Sequence, residues 1–217
     1  RYSKGELVDT VTTDESGFAK SRELYLGKYE VKEVKAGYGM VLSDEVHTVE
    51  IVFAGQNVAV TETATSFVNE RQKVKISLEK ALETHDLFGI GNNGEIKNIS
   101  FGLFADEELV SASGTAIPKD GLIEIITLDE NGKATVKTDL PLGSFYVKEL
   151  ATDEHYILSD TKHPVIFEYA GQETATVKIA VNDGEPMENK LIYGSVSGKK
   201  VDENGEGLGG ALIGLFK

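Results

Sequence analysis

Apolar and polar residues alternate along most of this chain, in short runs that end at turn-forming residues. A period of two residues indicates β-strands with one buried face. The clearest runs are KYEVKEV (28–34), KVKIS (73–77), VIFEY (165–169) and TATVKIA (174–180). NG, SG, DG and AGQ turns separate such runs. Short strands between closely spaced turns predict an all-β fold of the sandwich type.

Several landmarks of this pattern occur twice. The matching segments are TTDESGFAKSRELYLGKYEVKEV (12–34) with TLDENGKATVKTDLPLGSFYVKEL (127–150), and LSDEVHTVEIVFAGQ (42–56) with LSDTKHPVIFEYAGQ (158–172). Asn189 follows Asn69 by 120 residues, and Lys200 follows Lys80 by the same interval. An internal repeat of this length, which is a common domain size, predicts tandem units.

The repeats suggest where each unit begins and ends. We expect the C-terminal part of one unit at 1–71, a complete unit at 72–191 and the N-terminal strands of a third at 192–217. The stretches NERQKVKISLEK (69–80) and NKLIYGSVSGKK (189–200) then cross the two junctions. In each stretch the Asn ends one unit and the Lys begins the next.

Composition excludes several classes of function. The 217 residues carry a net charge of −14, which disfavours nucleic acid and anionic membranes as partners. The absence of cysteine excludes disulfides, thiol catalysis and zinc sites built on cysteine. No apolar run reaches the length of a membrane span, so no membrane insertion is expected in this segment. GEGLGG (205–210) precedes a predicted strand rather than a helix, and the four histidines lack ligand spacing. We therefore expect neither a cofactor nor a metal.

Three polar residues are predicted to point into the core of the complete unit. Alternation places Lys80 on the same face as the apolar Ile76 and Leu78. By the same rule Glu149 shares a face with Val147, and Asn189 follows an apolar Met by two residues. The first unit has Glu33 and Asn69 at equivalent positions, and the third has Lys200. A buried Lys–Glu ion pair with a nearby Asn would explain one such trio. The recurrence of the same residue types at equivalent positions favours a chemical reaction between them.

The chemistry open to this trio is amide exchange. Burial disfavours the charged amine, and a neutral lysine amine is a nucleophile. The glutamate can polarise the Asn carboxamide and relay protons while the amine attacks the side-chain carbonyl carbon. Ammonia leaves, and a Lys–Asn isopeptide bond remains. Folding holds the groups together, where effective molarities reach roughly 10⁵–10⁸ M, so no external enzyme is needed.

The segments that carry this trio resemble the collagen-adhesin B-type (Cna B-type) repeats of Gram-positive surface proteins and pilins. GKYEVKE (27–33) and GSFYVKE (143–149) are similar to the family's E-box, and GSVSGKKVDENGEGLGGALIGLF (194–216) is similar to its opening strands. The resemblance implies tandem immunoglobulin-like, transthyretin-like β-sandwiches. It also implies an isopeptide bond between the first and last strands of a unit, assisted by the E-box glutamate.

Carried onto this sequence, the resemblance assigns roles residue by residue. In the complete unit it implies a bond between Lys80 and Asn189, with Glu149 as the catalytic glutamate. The first unit keeps Glu33 as catalytic residue and Asn69 as bond partner, and its lysine would precede Arg1. ALE follows Lys80 where the family has a V-D turn, and neither a sortase signal nor a pilin-type lysine motif is visible.

Two functions follow from these features. The first is a structural stalk of an extracellular, cell-wall-anchored adhesin or pilus-like protein, whose partners are neighbouring repeat units. The second is a module that binds a host matrix protein or glycan, with the loop THDLFGIGNNGEIKN (84–98) as its best candidate. Neither requires an enzyme that acts on outside substrates.

Both chain ends correspond to one loop of the complete unit, ADEELVSASGTA (105–116). Two explanations stay open. One is a cut made in that loop. The other is that the end pieces complement each other, with 192–217 of one molecule packing on 1–71 of another to form head-to-tail chains.

Overall fold

A computed structural model describes residues 2–111 and 114–216 of the chain. The regular secondary structure of the described residues is almost entirely β-strand, as the alternating pattern predicts. The strands are β1 (Gly27–Lys32), β2 (Val46–Ile51), β3 (Lys73–Leu82), β4 (Ser100–Ala105), β5 (Leu109–Val110), β6 (Ala116–Ile117), β7 (Leu122–Thr127), β8 (Lys133–Thr135), β9 (Gly143–Ala151), β10 (His163–Phe167), β11 (Thr176–Ala180) and β12 (Met187–Asn189). Two short 3₁₀ helices, Glu95–Asn98 and Val181–Gly184, interrupt them.

Two sheets make up the central part of the chain. One sheet has the antiparallel order β10–β9–β4–β7. In the other, β3 pairs with β8 in antiparallel orientation and with β11 and β12 in parallel orientation. The pairs β1–β2 and β5–β6 form two further ladders. The predicted β-sandwich is therefore confirmed, whereas the tandem repetition of units stays a prediction.

Apolar side chains from the inner faces of the two large sheets form one core. Fully buried aromatic and aliphatic residues from both sheets pack there, among them Ile76, Leu78, Phe101, Leu103, Phe145, Val147, Val165 and Phe167. The burial of β3 alternates along its length, as the period of two predicts. Burial of this apolar face is the main stabilising contribution to the fold, at about 25 cal/mol per Å².

Residues 2–71 and 192–216 lack a comparable core. In 2–71 the strands β1 and β2 form a two-stranded ladder, and their inward residues are only half-buried. Residues 192–216 contain one β-bridge, between Val201 and Gly207, and expose nearly all their side chains. The fold thus places one complete sandwich between two parts that bury much less surface.

The same backbone contacts occur at both predicted junctions. The bridge between Met40 and Arg71 has its counterpart in the bridge between Tyr156 and Leu191. Beside the first bridge, the N–H of Val41 donates to the carbonyl of Glu70 at 2.8 Å. Beside the second bridge, the Ile157 N–H donates to the Lys190 carbonyl at 2.9 Å. These pairs are related by the sequence repeat, which supports equivalent junctions.

Candidate functional site

Three strands bring Lys80, Glu149 and Asn189 to one point in the core. Lys80 lies in β3 and pairs across the parallel ladder with Met187 of β12. Asn189 is two residues further along β12, so its side chain lies on the same face as Lys80. Glu149 lies near the end of β9 in the opposite sheet and pairs with Phe101 of β4. The site therefore bridges the two layers of the sandwich.

The three side chains are in direct contact. The Lys80 ammonium donates to Asn189 Oδ1 at 2.6 Å and lies 3.2 Å from Glu149 Oε1. The Asn189 amide nitrogen donates to both oxygens of Glu149, each at 2.9 Å. Glu149 thus contacts both the amine and the carboxamide nitrogen, while the amine lies against the carboxamide oxygen.

The site is almost closed to solvent. The side chains of Lys80 and Glu149 are each 1% exposed, and Asn189 is 2% exposed. Burial lowers the pKa of the Lys80 amine, and the nearby Glu149 carboxylate opposes this effect. The ring of Phe101 lies 5.8 Å from the Lys80 nitrogen and covers the site from β4. A buried amine with a lowered pKa is neutral for more of the time than an exposed one.

Two further residues position the trio. The backbone N–H of Ser159 donates to Glu149 Oε2 at 2.8 Å. The hydroxyl oxygen of Thr152 accepts a bond from the Asn189 amide at 2.9 Å. Sequence reasoning did not identify either residue. For Ser159 a signal was available, because the LSD motif at 158–160 is one of the repeated landmarks. Thr152 is not part of a repeated motif.

The first part of the chain has a matching pair. Asn69 donates to Glu33 Oε2 at 2.6 Å, and the N–H of Ser43 donates to the same oxygen at 2.9 Å. Ser43 is the LSD serine equivalent to Ser159. Asn69 also donates to the carbonyl of Val41 at 2.8 Å. Among the described residues, no lysine ammonium contacts this pair.

Lys200 lies elsewhere. Its side chain is exposed, and among the described residues its ammonium donates a hydrogen bond only to the carbonyl of Val201, at 3.4 Å. The sequence predicts that Lys200 shares an apolar core face with Ile192 and Val196, but these residues are 59% and 80% exposed. A core position for Lys200 in a third unit therefore stays a prediction.

The described residues offer neither a metal site nor a membrane-spanning helix. Within residues 2–111 and 114–216, no group of three His, Asp or Glu side chains is arranged to hold a metal ion. No helix in these two ranges is both long and apolar enough to cross a bilayer. A cavity of about 350 Å³ lies beside Lys80, and Phe101, Ser159 and His163 line part of it.

Comparison with known families agrees with this architecture. The model of the SpaA prealbumin-like fold domain matches residues 1–66 and 89–184, which is well over half of the chain. The chain therefore belongs to the SpaA family of prealbumin-like fold domains. The prealbumin-like fold is a β-sandwich, in agreement with the two packed sheets around the buried trio.

The chain matches only a small part of each of its much longer relatives. The trypsin-resistant surface T6 protein of Streptococcus pyogenes is 30% identical over 36% of this chain and 15% of its own length. The inverse autotransporter adhesin YeeJ of Escherichia coli is 26% identical over 91% of this chain and 9% of its own length. Among solved structures, the TIE protein of Bacillus anthracis has a TM-score of 0.54 and 22% identity, over 84% of this chain and 28% of that one. This last likeness shows the fold alone.

The protonation of His163 is expected to report the state of Lys80. Burial and the Lys80 cation both lower the pKa of His163, and a hydrogen bond with Asn182 opposes them. An amide bond at Lys80 removes that cation, so the pKa of His163 should be higher in a bonded protein than in the Asn189→Ala variant. Titration of the imidazole proton shifts by NMR measures the difference.

His155 is an internal control for this titration. Its pKa is raised mainly by the hydrogen bond with Asp153, and Lys80 is not among the groups that shift it. The pKa of His155 should therefore be the same in both proteins. If His163 also titrates identically in both, Lys80 has the same charge in both, and the bond is absent from the parent protein.

Proposed function

We propose that this chain is a load-bearing stalk segment of a Gram-positive surface adhesin or pilus-like protein, locked by a Lys80–Asn189 isopeptide bond. The observation that carries the proposal is the buried contact of 2.6 Å between the Lys80 amine and the Asn189 carboxamide, with Glu149 touching both. Membership of the SpaA family and the likeness to a streptococcal surface protein support an extracellular location. Anchoring to the cell wall is part of the same proposal.

The contacts support a balanced reaction with Glu149 as the catalytic residue. Glu149 takes a proton from the Lys80 ammonium, which lies 3.2 Å away, and leaves a neutral amine. The amine attacks the Asn189 side-chain carbonyl carbon and forms the new C–N bond. Glu149 returns the proton to the amide nitrogen, which is 2.9 Å from both its oxygens. The old C–N bond breaks, the attacking nitrogen gives its second proton to Glu149, and the amide nitrogen leaves with that proton as ammonium through the adjacent cavity.

The position of the bond suits a protein under tension. The chain enters the sandwich at the start of β3 and leaves it after β12, and Lys80 and Asn189 lie in these two strands. Force applied along the chain would pass from Lys80 directly to Asn189. The 108 residues between them would carry none of it, so the sandwich would stay folded under load.

The first prediction for this function concerns mass. The intact protein should weigh less than its sequence by one molecule of ammonia, because bond formation expels the Asn189 amide nitrogen. Tryptic digestion should yield a branched peptide that joins the segments containing Lys80 and Asn189. Electrospray mass spectrometry of the intact chain and of the digest measures both results.

Two variants test whether the mass deficit depends on the Lys80 amine. Lys80→Arg keeps a buried cation but supplies no amine nucleophile, so it should have the full sequence mass. Glu188→Ala removes an exposed carboxylate next to Asn189 and should keep the ammonia deficit. A parent protein of full sequence mass, with linear peptides only, would contradict the proposed bond.

A second candidate function rests on the loop at 84–98. The buried Glu95 carboxylate accepts bonds from the N–H groups of Gly91 and Asn93, at 3.1 and 2.7 Å, and so fixes the loop. The fixed loop presents Leu87 and Phe88, which are 83% and 59% exposed. An ordered loop with exposed large apolar side chains favours a module that binds a host matrix protein or glycan.

The binding function predicts a specific loss of affinity. If the loop binds a host molecule, the parent protein should bind a member of a matrix-protein or glycan array. Leu87→Ser should weaken that binding about tenfold or more, because an apolar anchor is lost. Leu122→Ser changes a half-exposed leucine at another place and should bind like the parent. No binding to either array would remove this candidate.

A further inference from the structure

The hairpin turn between β7 and β8 packs against the backbone of Lys80. The Lys80 N–H donates to the Gly132 carbonyl at 2.8 Å. This bond continues the ladder of β3 with β8 by one residue, since Glu79 is paired with Lys133. On its other edge β3 pairs with β12, and there Lys80 is paired with Met187. The strand is therefore held from both edges at the residue that carries the amine.

Gly132 approaches Lys80 more closely than a residue with a side chain could. Its φ is +74°, in the left-handed region that favours glycine. A Cβ at this position would lie well inside 3.0 Å of the Lys80 carbonyl oxygen, a separation that real Cβ atoms essentially never show. The same Cβ would lie 3.4 Å from Cδ1 of Ile96, which belongs to the first 3₁₀ helix. The turn therefore contacts both β3 and this helix, and only glycine fits the contact with β3.

The Asp129 side chain fixes the shape of this turn. Its Oδ1 accepts the N–H groups of Asn131 and Lys133, at 2.8 and 2.9 Å. The Asp129 N–H donates to the Lys133 carbonyl at 2.8 Å, and the Gly132 N–H donates to the Asp129 carbonyl at 3.1 Å. These hydrogen bonds hold the Gly132 carbonyl where it meets the Lys80 N–H. The DENG motif at 129–132 is thus a rigid support for one point of β3.

The position of the Lys80 backbone decides where the Lys80 amine lies. A side chain leaves its strand roughly perpendicular to the sheet, so a shift of the backbone carries the amine with it. The amine lies 2.6 Å from Asn189 Oδ1 and 3.2 Å from Glu149 Oε1. Because the lysine side chain is almost fully buried, its stem has little room to compensate for a displaced backbone. A misplacement of about 1 Å can slow a reaction about 100-fold.

We infer that the turn at 129–132 positions Lys80 for bond formation, with Gly132 as the positioning residue; this inference rests on the proposed function. The Gly132 carbonyl holds the Lys80 N–H, and the missing side chain lets the turn lie against the Lys80 carbonyl. The amine is thereby kept in register with the Asn189 carboxamide. Gly132 acts on the lysine backbone and has no group that transfers a proton, so the chemistry stays with Glu149.

The rate of ammonia loss from the intact 217-residue chain tests the inference. Protein made in a short pulse of cell-free synthesis is sampled over time, and its intact mass gives the bonded fraction. Gly132→Ala should lengthen the half-time about 100-fold, because its Cβ displaces the Lys80 backbone. Gly205→Ala is the matched control. Gly205 ends the second DENG motif at a φ of +82°, and a Cβ there would meet no described atom within 4 Å, so this variant should react like the parent.

Gly132→Asn separates backbone strain from the close approach to Lys80. Asparagine is enriched among residues with a positive φ, so it tolerates this backbone better than alanine does. Its Cβ still meets the Lys80 carbonyl oxygen, and bond formation should therefore remain about 100-fold slower than in the parent. A Gly132→Asn protein that reacts at the parent rate would show that position 132 needs only a positive φ, and would overturn the inference.

A core substitution controls for the loss of stability alone. Val165→Ala removes two methyl groups from a fully buried residue of β10, in the opposite sheet, and should lower the melting temperature. Its half-time should stay within about twofold of the parent, because distant sites act independently. If Val165→Ala slows the reaction as much as Gly132→Ala does, Gly132 has only a structural role and the inference is wrong.

Asp129→Ala keeps the inference testable if the Gly132 variants fail to fold. It removes the carboxylate that shapes the turn but adds no clash with Lys80. Bond formation should be about tenfold slower, because the Gly132 carbonyl is less well held. Asp202→Ala removes the equivalent carboxylate of the second DENG motif and should react like the parent. An Asp129→Ala protein that also reacts like the parent would count against the inference.

The outcomes distinguish this inference from the proposed function. A parent that keeps its full sequence mass contradicts the proposed function, and no reaction then remains for the turn to assist. If the parent loses ammonia and both Gly132 variants lose it equally fast, this inference alone is overturned and the proposed bond stands. Slow reaction in Gly132→Ala and Gly132→Asn, beside parent-like reaction in Gly205→Ala and Val165→Ala, supports the positioning role.

Discussion

The Asn189→Ala variant is expected to unfold about 8–20 °C below the parent protein. The proposed bond closes a loop of 110 residues between Lys80 and Asn189. In the chain-entropy model such a cross-link stabilises the folded state by about 4–5 kcal/mol. For domains of this size each kcal/mol shifts the melting temperature by about 2–4 °C. Differential scanning calorimetry of both proteins measures the shift.

Two further variants show whether the bond causes this difference. Glu149→Ala should also lack the bond, and it leaves the buried Lys80 amine without its carboxylate partner, so it should melt at least as low. Glu188→Ala should melt like the parent, since it removes an exposed carboxylate whose ion pair with Lys190 is screened by solvent. An Asn189→Ala protein that melts within about 2 °C of a parent with the ammonia deficit would show that the bond adds little stability.

The Phe101→Ala variant is expected to lose about 3–5 kcal/mol of unfolding free energy. Phe101 is 1% exposed at the centre of the core, and its ring covers the Lys80 nitrogen at 5.8 Å. Removing the ring leaves a cavity and brings water nearer to the amine. Because burial is what lowers the pKa of Lys80, that pKa should rise toward its ordinary value. Bond formation should then be slower, and a fraction of the protein should keep the full sequence mass.

Ile125→Ala is the matched control for this substitution. Ile125 lies in β7, beside the residue that pairs with Phe101, but its side chain is 60% exposed. Its replacement should change stability by less than about 0.5 kcal/mol and leave the mass deficit intact. Denaturant titration gives the free energies, and intact mass gives the bonded fraction. A Phe101→Ala protein as stable as the Ile125→Ala protein would contradict the packing argument.

The presence of strands and the direction of their side chains were predictable because both depend on the local sequence pattern. The side chains of a strand alternate between two faces. Lys80 lies an even number of residues after the apolar Ile76 and Leu78, so the pattern already directs it inward. The same rule places Glu149 and Asn189 on inner faces, and the structure buries both. The repeated LSD and AGQ motifs also relate distant segments without any coordinates.

The local pattern was insufficient where burial depends on a partner strand. Lys200 follows the same alternation as Lys80, yet it is exposed, because among the described residues no second sheet covers 192–216. Thr152 was missed for a related reason. Its hydroxyl meets Asn189 only because two segments 37 residues apart converge at the end of β9.

The amino-acid pattern alone thus establishes an all-β chain, its repeated landmarks and the inward direction of Lys80, Glu149 and Asn189. These features follow from side-chain alternation and from motif spacing, which are properties of the linear chain. Only the tertiary structure brings the Lys80 amine within 2.6 Å of the Asn189 carboxamide and places Glu149 against both. Distances of this kind depend on how two sheets pack and on the parallel register of β3 with β12, and neither is encoded in the period of a single strand.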